Sequence, residues 1–538
     1  MNKNENDINS IILKKLPVGE QSIKEVLSNN YIYVDKTEYI YKIITENKYY
    51  FLSRPRRFGK SLLISTLKEI FSGNKELFKE CWIYKNTDYD WKSYPVIHLD
   101  FSNKKADIKK NFYTILIEQL KDIGFNYDIN IKEKDHVTSI CDELIKALYK
   151  NIGPVVILID EYDKPILDNI IDLELANINR NILRNLFESI KANSEYIKFV
   201  FITGITKFAK TSMFSGMNNL RDISVEKKYN SLLGYTQQEL EFYFEEYINL
   251  ALQDKDVNIL EKRELLDKIK HWYNGYSFIE INSNNETVYN PFSILNFFSS
   301  NRFSNYWSDS GNPSFLIDLI KHNEYSMIEA EKYPISVSDL NTFDIENIDF
   351  STLLFQAGYL TIESYSEKTR SVVLKYPNYE VEESLTEKIS KIIDINLSKK
   401  IISLVPNFTK HLNNNDIDGF IKEIQKLILE LNYFNSIKKE SYYVSMVIIM
   451  IKMIGIKAFS ESATNYGRID LMFEHLNNIY IFEFKLNGSA QEALNQIKEK
   501  DYYKTYLNPD KTLYLIGINI NFKKKQLKNI NEWIVEKI

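Results

Sequence analysis

The sequence of 538 residues has little cysteine, no long apolar run and only a small excess of charge. Its two cysteines, Cys81 and Cys141, have no metal-ligand spacing around them, which argues against a zinc site or a disulfide scaffold and favours a reducing compartment. The longest apolar run, residues 444–456, contains Lys452 and is shorter than the ~20 residues that a membrane span requires. The N-terminal residues carry acids and no apolar segment, which predicts no signal peptide. We therefore expect a cytoplasmic protein with no membrane partner.

The net charge of −5 argues against a protein that coats nucleic acid along its whole length. The charge is unevenly distributed, because residues 436–538 carry 15 Lys and Arg against 11 Asp and Glu, a local charge of +4 that leaves −9 for residues 1–435. Any contact with DNA or RNA is therefore expected near the C-terminal end. Ordinary surface variation explains a charge of +4 equally well.

Residues 54–61 match the phosphate-binding pattern GxxxxGK[ST] except at the first position, where Arg54 replaces glycine. The aromatic and apolar run 49–53 predicts a strand before this loop, and the apolar spacing of residues 61–71 predicts a helix after it. A loop between a strand and a helix is the context that the motif requires. The sequence therefore predicts a nucleotide site with one irregular position.

The end of this loop retains the groups that phosphate chemistry needs. Lys60 offers an ammonium for the β- and γ-phosphates, and Ser61 offers a hydroxyl ligand for Mg²⁺. Pro55 biases Arg54 toward extended geometry, so the phosphate cradle can form without a glycine there. The two arginines that follow the proline add charge at the phosphates or face another subunit. The predicted nucleotide-binding residues of the loop are Arg54, Pro55, Arg56, Arg57, Phe58, Gly59, Lys60, Ser61 and Leu62.

A second apolar strand, residues 155–159, runs into Asp160 and Glu161, which is the Walker B pattern. In that pattern Asp160 binds the nucleotide and holds its Mg²⁺, while Glu161 is the catalytic residue that polarises the attacking water. The alternative is a parallel core strand that ends in solvated acids. The phosphate-loop residues upstream favour the functional interpretation.

Polar residues after a third strand, 199–202, are candidates for contacting the γ-phosphate of a nucleotide. Thr203 is the first candidate and Thr206 the second, and a plain turn is the alternative for each. Arg180 and Arg184 lie four residues apart on a predicted helix and share one face. One of them is a candidate arginine finger, although surface arginines are commoner.

A second chemistry is predicted near the C-terminus, where two strands are joined by the polar turn 475–478. If the hairpin closes symmetrically about that turn, Asp470 lies directly opposite Glu483, and Lys485 shares the face of Glu483. Facing carboxylates repel each other unless a cation joins them, and Mg²⁺ or Mn²⁺ suits such oxygen ligands. Lys485 would orient or deprotonate the attacking water. Any polar hairpin could produce the same spacing, and a register shift of one residue would separate the three side chains.

Several motifs together resemble the bacterial AAA-ATPase-like proteins, and the resemblance covers nearly the whole chain. In that family Arg-Pro-Arg-Arg is the usual form of the phosphate loop, so Arg54 is then a family trait. The motifs that carry the resemblance lie at residues 34–37, 54–62, 160–163, 203–207, 272–276 and 289–292.

The Asp-x12-Glu-x-Lys pattern of Asp470, Glu483 and Lys485 resembles the PD-(D/E)XK nuclease superfamily, whose domain commonly forms the C-terminus of AAA-ATPase-like proteins. This resemblance implies further catalytic residues, namely an acid upstream and a polar residue on the following helix. The family pattern Glu-x-x-Tyr-His appears here without its histidine, since Val444 stands in that place. The additional residues that the resemblance implies are Glu440, Glu461 and Gln496.

These predictions give an α/β protein of several domains. We expect an AAA-like P-loop ATPase core over residues 1–225, a helical lid over 226–330 and a winged-helix-like module over 331–395. A helical connector over 396–435 and a PD-(D/E)XK nuclease-like domain over 436–538 follow. Within the winged-helix-like module, a helix is expected to break at Gly358 into a hairpin. The acids Glu380, Glu382 and Glu383 favour a structural spacer over a DNA-binding module.

The expected function is ATP binding and hydrolysis, with the nucleotide state regulating a metal-dependent nuclease that acts on DNA or RNA. ATP, Mg²⁺ and, at the nuclease site, Mg²⁺ or Mn²⁺ are the expected ligands, and a homo-oligomer is compatible with the sequence. The metal ligands would be Ser61, Asp160, Asp470 and Glu483. Defence or mobile-element biology is the setting suggested by analogy. The alternatives are a nucleotide-operated switch or scaffold with an inactive nuclease fold, and an ATPase chaperone.

Overall fold

The computed structural model describes residues 13–102, 111–131, 136–208, 213–214, 217, 219–278, 287–307, 316, 319, 334–340, 343–393, 397–431, 444, 447–448, 450–452, 455–456, 458–459, 463–464, 467–523 and 526–538. The chain divides into two compact units. The first consists of Met1–Leu319, Ile335–Val372 and Pro377–Glu380, and the second of Ile320–Pro334, Val373–Tyr376 and Val381–Ile538.

A parallel five-stranded sheet organises the first unit, with the order β2-β3-β4-β1-β5. Aromatic and β-branched residues dominate β1 and β3, and their near-complete burial explains why these segments form central strands. The register places Ser53 beside Gly204 and Asp100 beside Asp160, so the carboxyl ends of the central strands meet at one edge. The strands are β1 (Tyr49–Ser53), β2 (Val96–Asp100), β3 (Val155–Asp160), β4 (Ile197–Gly204) and β5 (Arg221–Asp222).

Helices surround this sheet, and the predicted strand-loop-helix context of the phosphate motif is present. The helix after the loop begins at Lys60, one residue before the predicted start. In chain order the helices are α1 (Ile23–Ser28), α2 (Thr37–Glu46), α3 (Lys60–Phe71), α4 (Trp82–Asn86), α5 (Phe112–Asn126), α6 (Val137–Asn151), α7 (Lys164–Leu167), α8 (Leu173–Ala192), α9 (Gln237–Tyr243), α10 (Glu245–Gln253), α11 (Lys262–Tyr273) and α12 (Pro291–Ser300).

The last four of these helices, α9 to α12, build an apolar core of their own. Phe244, Ile248, Leu265 and Phe298 pack together there with Ile32 from the N-terminal segment. The helical character expected for residues 226–330 is therefore present in their described part, whereas the domain boundaries stay a prediction.

The segment that follows shows the expected helix and hairpin. After β6 (Ile335–Ser336) and α13 (Val337–Leu340), helix α14 (Phe350–Ala357) ends at Gly358, whose φ is 90°. Strands β7 (Thr361–Ser366) and β8 (Ser371–Lys375) come next, and the sheet order is β6-β8-β7. A winged-helix-like module remains a prediction for this segment.

One of the acids that favour a spacer is not on the surface. Glu380 is 0% exposed, and its carboxylate accepts hydrogen bonds from the Ser293 hydroxyl and the Trp307 backbone N–H, each at 2.7 Å. Its charge therefore says nothing about whether this segment repels DNA.

The second unit contains a mixed five-stranded sheet of order β15-β14-β13-β12-β9. Strand β12 pairs with β13 as an antiparallel hairpin, and β13 pairs with β14 in parallel. The strands are β9 (Ala458–Phe459), β10 (Ala463–Thr464), β11 (Gly467–Arg468), β12 (Leu471–His475), β13 (Asn478–Leu486), β14 (Thr512–Lys523) and β15 (Gln526–Lys537). The helices are α15 (Tyr379–Ile393), α16 (Leu397–Asn413), α17 (Ile417–Leu431) and α18 (Ala490–Glu499).

Helices α16 and α17 occupy the predicted helical connector. Helix α18 covers one face of the sheet, where Leu494 and Ile497 pack with Ile469, Ile481 and Leu515. Among the described residues, no helix combines the length and the apolar composition needed to cross a bilayer.

Candidate functional site

The phosphate loop joins the carboxyl end of β1 to the start of α3. The Lys60 ammonium is buried inside the loop and donates hydrogen bonds to the carbonyls of Arg54 (2.9 Å) and Pro55 (3.0 Å). Burial lowers the pKa of Lys60, and the negative charge of Glu161 opposes that effect. The loop thus holds a cation among its own carbonyls at a helix N-terminus, where phosphate oxygens are favoured partners.

The side chain of Arg54 points away from this cradle. Its guanidinium donates to the carbonyls of Ser224 (2.6 Å) and Tyr229 (3.2 Å), and it lies 4.2 Å from the centre of the Phe278 ring. Burial lowers the pKa of Arg54 to about 9. Arg54 therefore serves the loop through its backbone carbonyl, and its charged group anchors the loop to the segment after β5.

Asp160 at the end of β3, Glu161 directly after it and Thr203 near the end of β4 form the edge that carries the Walker B pattern. The Thr203 hydroxyl donates to Asp160 Oδ1 at 2.5 Å, and the backbone N–H of Glu161 donates to the same oxygen at 3.0 Å. Burial raises the pKa of Glu161, and the nearby Lys60 ammonium opposes the rise. A raised pKa suits a general base that must accept a proton near neutral pH.

The backbone of Glu161 is unusual, because its φ is 51°. A non-glycine residue in this left-handed region costs free energy and persists only where the surroundings impose it. Here the Asp160 carboxylate holds the Glu161 N–H, and the Thr203 carbonyl accepts from the next residue, Tyr162, at 3.0 Å.

The second candidate for contacting the γ-phosphate, Thr206, is engaged in a structural contact. Its hydroxyl and its backbone N–H both donate to Asp163 Oδ2 at 2.6 Å, and the Ile205 N–H donates to the same oxygen at 2.9 Å. Burial raises the pKa of Asp163. Asp163 therefore fixes the turn after β4, a role that sequence reasoning missed although Asp163 belongs to the Asp-Glu-Tyr-Asp motif.

A cavity of about 430 Å³ opens in front of the loop. It brings together the predicted loop residues from Gly59 to Leu62 with Glu161. Arg56 and Arg57 also line it, and the Arg57 guanidinium lies 4.8 Å from the centre of the Phe292 ring. Lining residues that sequence reasoning missed are Pro17, Gly19, Glu20, Gln21, Ser102, Lys164, Tyr235, Pro291, Phe292 and Leu295.

A smaller apolar cavity of about 80 Å³ adjoins the first and shares Gly59, Leu62 and Pro291 with it. Ile32 and Leu232 are among its apolar walls. The larger cavity therefore has charged lining residues and adjoins an apolar cavity, a combination that suits a small ligand with charged and apolar parts.

The carboxylate hairpin in the second unit has the predicted register. Leu471 pairs with Phe482 and His475 with Asn478, so Asp470, one residue before β12, lies opposite Glu483. Asp470 Oδ2 accepts the Phe484 backbone N–H at 2.7 Å.

Glu483 is the electrostatic centre of this hairpin. It is 1% exposed, and Oε1 lies 3.6 Å from the Lys485 ammonium and accepts a hydrogen bond from the Gln496 amide. Burial first and the Asp470 charge second raise the pKa of Glu483 to about 8, while Lys485 opposes the rise. Its other oxygen, Oε2, is buried without a hydrogen-bond partner in the described part of the chain. A divalent cation fits this arrangement, because it would satisfy that oxygen and offset the repulsion.

Close packing of α18 brings Gln496 to the hairpin. Gly517 lies beside Glu483 in the parallel pairing of β13 with β14. A Cβ at Gly517 would lie 2.3 Å from the Ala490 carbonyl oxygen, so only glycine allows the helix this close. The Ser489 and Glu492 side chains cap the helix start reciprocally.

A curated relative spans almost the whole chain. The "Uncharacterized protein in vnfD 5'region" of Azotobacter chroococcum mcd 1 is 32% identical over 551 residues, which cover 98% of this chain and 99% of that protein. A family model described as "Predicted AAA-ATPase" matches residues 17–214. The chain belongs to the AAA-ATPase-like family. A model of the PD-(D/E)XK nuclease superfamily matches residues 438–533, so this AAA-ATPase-like protein also has a C-terminal domain of that superfamily.

Two solved structures from Aeropyrum pernix show a low similarity to the AAA-ATPase-like protein. The ORC1 protein in complex with DNA is 12% identical, with a TM-score of 0.25, and the alignment covers 68% of this chain and 96% of that chain. The ORC2 protein in its ADPNP–ADP complexes is 12% identical, with a TM-score of 0.26 and coverage of 70% and 98%. The fold assignment is instead carried by the strand orders and the family models.

The predicted arginine-finger candidates of this AAA-ATPase-like protein are engaged elsewhere. Arg184 pairs with Glu188 on the same helix at 3.0 Å, and Arg180 lies 3.7 Å from Glu346. Neither is among the described residues that line the cavity.

The described part of the nuclease-superfamily domain contains some of its predicted site residues. Glu440 and Glu461 lie outside the described residues. Within the described ranges, no group of three or more His, Cys, Asp or Glu side chains is arranged to hold a metal ion. Among the described residues, the hairpin offers two carboxylates, those of Asp470 and Glu483, as candidate metal ligands.

Proposed function

We propose that the protein binds ATP with Mg²⁺ at the phosphate loop and hydrolyses it, and that its nucleotide state regulates a metal-dependent nuclease acting on DNA or RNA. The observation that carries the first part is the cavity that unites Gly59, Lys60, Ser61 and Glu161. The observation that carries the second is the buried Oε2 of Glu483, which lies on the strand opposite Asp470 and has no hydrogen-bond partner among the described residues.

In the ATPase reaction, Lys60 would exchange its two loop carbonyls for β- and γ-phosphate oxygens. Ser61 and Asp160 would hold Mg²⁺, with Thr203 orienting the Asp160 carboxylate. Glu161 would accept a proton from the attacking water, because burial raises its pKa toward neutral pH. Arg56 and Arg57 would add positive charge along the cavity wall.

In the nuclease reaction, Asp470 and Glu483 would hold Mg²⁺ or Mn²⁺, and the Gln496 amide would fix the orientation of the Glu483 carboxylate. Lys485 would orient or deprotonate the attacking water from the same face of β13. A divalent metal supplies Lewis-acid stabilisation of phosphate charge and lowers the pKa of bound water. The biological setting that we propose, by analogy, is defence or mobile-element biology.

The test measures cleavage of single- and double-stranded DNA and RNA with Mg²⁺ or Mn²⁺, with and without ATP, alongside ATP turnover. We expect Lys60→Ala to lose ATPase activity and the ATP dependence of cleavage. We expect Asp470→Ala to lose cleavage and to keep ATPase activity. Cleavage by Asp470→Ala at the wild-type rate would overturn the assignment of the hairpin.

A second candidate function is a nucleotide-operated switch whose nuclease fold binds a partner without cutting. The observation that favours it is Val444 in the place of the family's histidine. Wild-type protein that turns over ATP and cleaves no substrate with either metal would support this second function.

A further inference from the structure

The phosphate loop is supported by residues that lie more than 200 positions later in the chain. The Trp307 indole N–H donates to the Arg56 carbonyl at 3.1 Å. Pro55 faces Gly358, where a Cβ would lie 2.5 Å from the proline Cβ. Both supports act on the part of the loop where the usual first glycine is missing.

Trp307 is itself held by a buried acid. Its backbone N–H donates to Glu380 Oε1 at 2.7 Å, and its ring packs against the Tyr359 ring with centroids 4.9 Å apart. Trp307 is 1% exposed and Glu380 is 0% exposed. A buried carboxylate that accepts a hydrogen bond from a neutral donor stabilises that donor's position strongly.

The second carboxylate oxygen of Glu380 contacts a residue next to the cavity wall. Glu380 Oε2 accepts the Ser293 hydroxyl at 2.7 Å. Ser293 follows Phe292, whose ring lies under the Arg57 guanidinium at the cavity. The contacts from Arg56 through Trp307, Glu380 and Ser293 therefore start and end at the phosphate loop.

Glu380 also occupies a particular place in the chain. It is the second residue of α15, and the chain passes from the first unit to the second between Glu380 and Val381. The contacts of the loop therefore reach the first turn of α15, at the residue where the chain leaves the first unit.

We propose that Trp307 and Glu380 are positioning residues for the phosphate loop and that Glu380 couples nucleotide binding to helix α15. Trp307 holds the loop through the Arg56 carbonyl, and Glu380 holds Trp307 and the cavity wall together. This inference rests on ATP binding at the loop, and it names the route of the regulation proposed above.

The first test measures ATP affinity of the full chain with Mg²⁺ by equilibrium titration. Trp307→Phe keeps an aromatic ring and removes the N–H, so we expect the Kd for ATP to rise about fivefold, the effect of one lost hydrogen bond. Trp91→Phe is the matched control, since Trp91 packs against Phe78 and Tyr89. Wild-type affinity in Trp307→Phe would overturn the positioning role.

The second test measures amide hydrogen exchange of α15 with and without ATP. We expect ATP to slow exchange in the first turns of α15 in the wild type, and we expect Glu380→Gln to lose that response while it still binds ATP. Ser293→Ala is a milder variant that removes one donor to Glu380, and it serves if Glu380→Gln does not fold. An ATP response that persists in these variants, or is absent from the wild type, contradicts the coupling.

These readouts separate the inference from the proposed function. Neither titration nor hydrogen exchange requires hydrolysis or cleavage. A wild-type chain that does not bind ATP overturns the proposed function and this inference with it. A wild-type chain that binds ATP, with Trp307→Phe and Glu380→Gln behaving as wild type, overturns the inference alone.

Discussion

The two candidate sites of this protein are built in opposite ways. The carboxylate hairpin assembles Asp470, Glu483 and Lys485 from one antiparallel pairing, with Gln496 added from the next helix. The cavity at the phosphate loop uses residues from Pro17 to Leu295, which lie on many separate segments. Local pairing therefore specifies the first site, whereas long-range packing specifies the second. Substitutions of reactive groups should therefore act in the same way at both sites. Substitutions of residues that hold a site in place should distinguish the two, because the phosphate-loop cavity depends on long-range packing.

The largest expected effect is at the hairpin. Glu483→Gln removes a charge that would bind the metal, and we expect metal-dependent cleavage to fall at least ~100-fold without a change in ATP turnover. The matched control is Glu474→Gln on the same hairpin, since Glu474 pairs with Lys511 rather than with the carboxylates. Equal loss of cleavage in both variants would show that cleavage responds to any substitution in the hairpin and does not depend specifically on the acid pair.

A comparable loss is expected at the Walker B edge. Glu161→Gln removes the proposed general base, so ATP turnover should fall about 100-fold while ATP affinity is retained. Glu174→Gln, an exposed acid in the first turn of α8, is the control. Unchanged turnover in Glu161→Gln would remove Glu161 from the reaction.

Restoring the consensus glycine of the phosphate motif tests whether the loop depends on its long-range anchor. Arg54→Gly regenerates the full GxxxxGK[ST] pattern, yet we expect it to lower the free energy of unfolding by about 2–5 kcal/mol. The reason is that the Ser224 and Tyr229 carbonyls lose their buried donor and the space beside Phe278 is left empty. Arg370→Gly is the control, because Arg370 is exposed with a φ of 49°. Denaturant titration in which Arg54→Gly is as stable as wild type would show that the loop needs no external anchor.

A smaller effect is expected where the loop meets Gly358. Gly358→Ala adds a methyl group against Pro55 in a backbone with a φ of 90°, and we expect a loss of about 1–3 kcal/mol. Gly455→Ala carries similar backbone strain, with a φ of 79°, but no atom of the described residues lies within 4 Å of the added Cβ. Thermal unfolding should therefore separate the two variants. Identical midpoints would mean that the contact with Pro55 does not support the loop.

The smallest effect concerns pH. The pKa of Glu483 is raised in the folded chain to about 8, so the folded state binds more protons than the unfolded state between about pH 4.5 and 8. With metal chelated, the free energy of unfolding should fall as pH rises through that window. Glu483→Gln should flatten this slope in urea titrations at several pH values. If Glu483→Gln shows the same pH dependence of the free energy of unfolding as wild type, another group is responsible for it.

The hairpin was predictable because the position of its turn determines which residues pair across the two strands. Strand residues alternate faces, so a short turn at Leu476 and Asn477 sets the partner of every residue in the two strands, and the observed pairs agree. The strands β1 and β3 and the break at Gly358 were predictable for similar reasons, since each depends on a local pattern. The family assignment was also carried by short motifs.

The supports of the phosphate loop were not predictable, because they depend on residues far apart in the chain. Nothing near Arg54 indicates that its guanidinium would bond to Ser224 and Tyr229. The sequence places Glu380 among several acids that argue against DNA binding, whereas its burial depends on contacts with Ser293 and Trp307. Long-range hydrogen bonds of this kind leave no periodic pattern in a sequence.

The left-handed backbone of Glu161 has a consequence for the evolution of this family. Glycine and asparagine adopt a φ of 51° more easily than glutamate, so either residue should make the fold more stable while removing the proposed general base. On the role proposed for Glu161, ATP turnover favours glutamate at this position while the backbone conformation disfavours it. Lineages that use the protein solely as a nucleotide-bound scaffold should drift to glycine or asparagine at this position, which makes position 161 a record of whether hydrolysis is still needed.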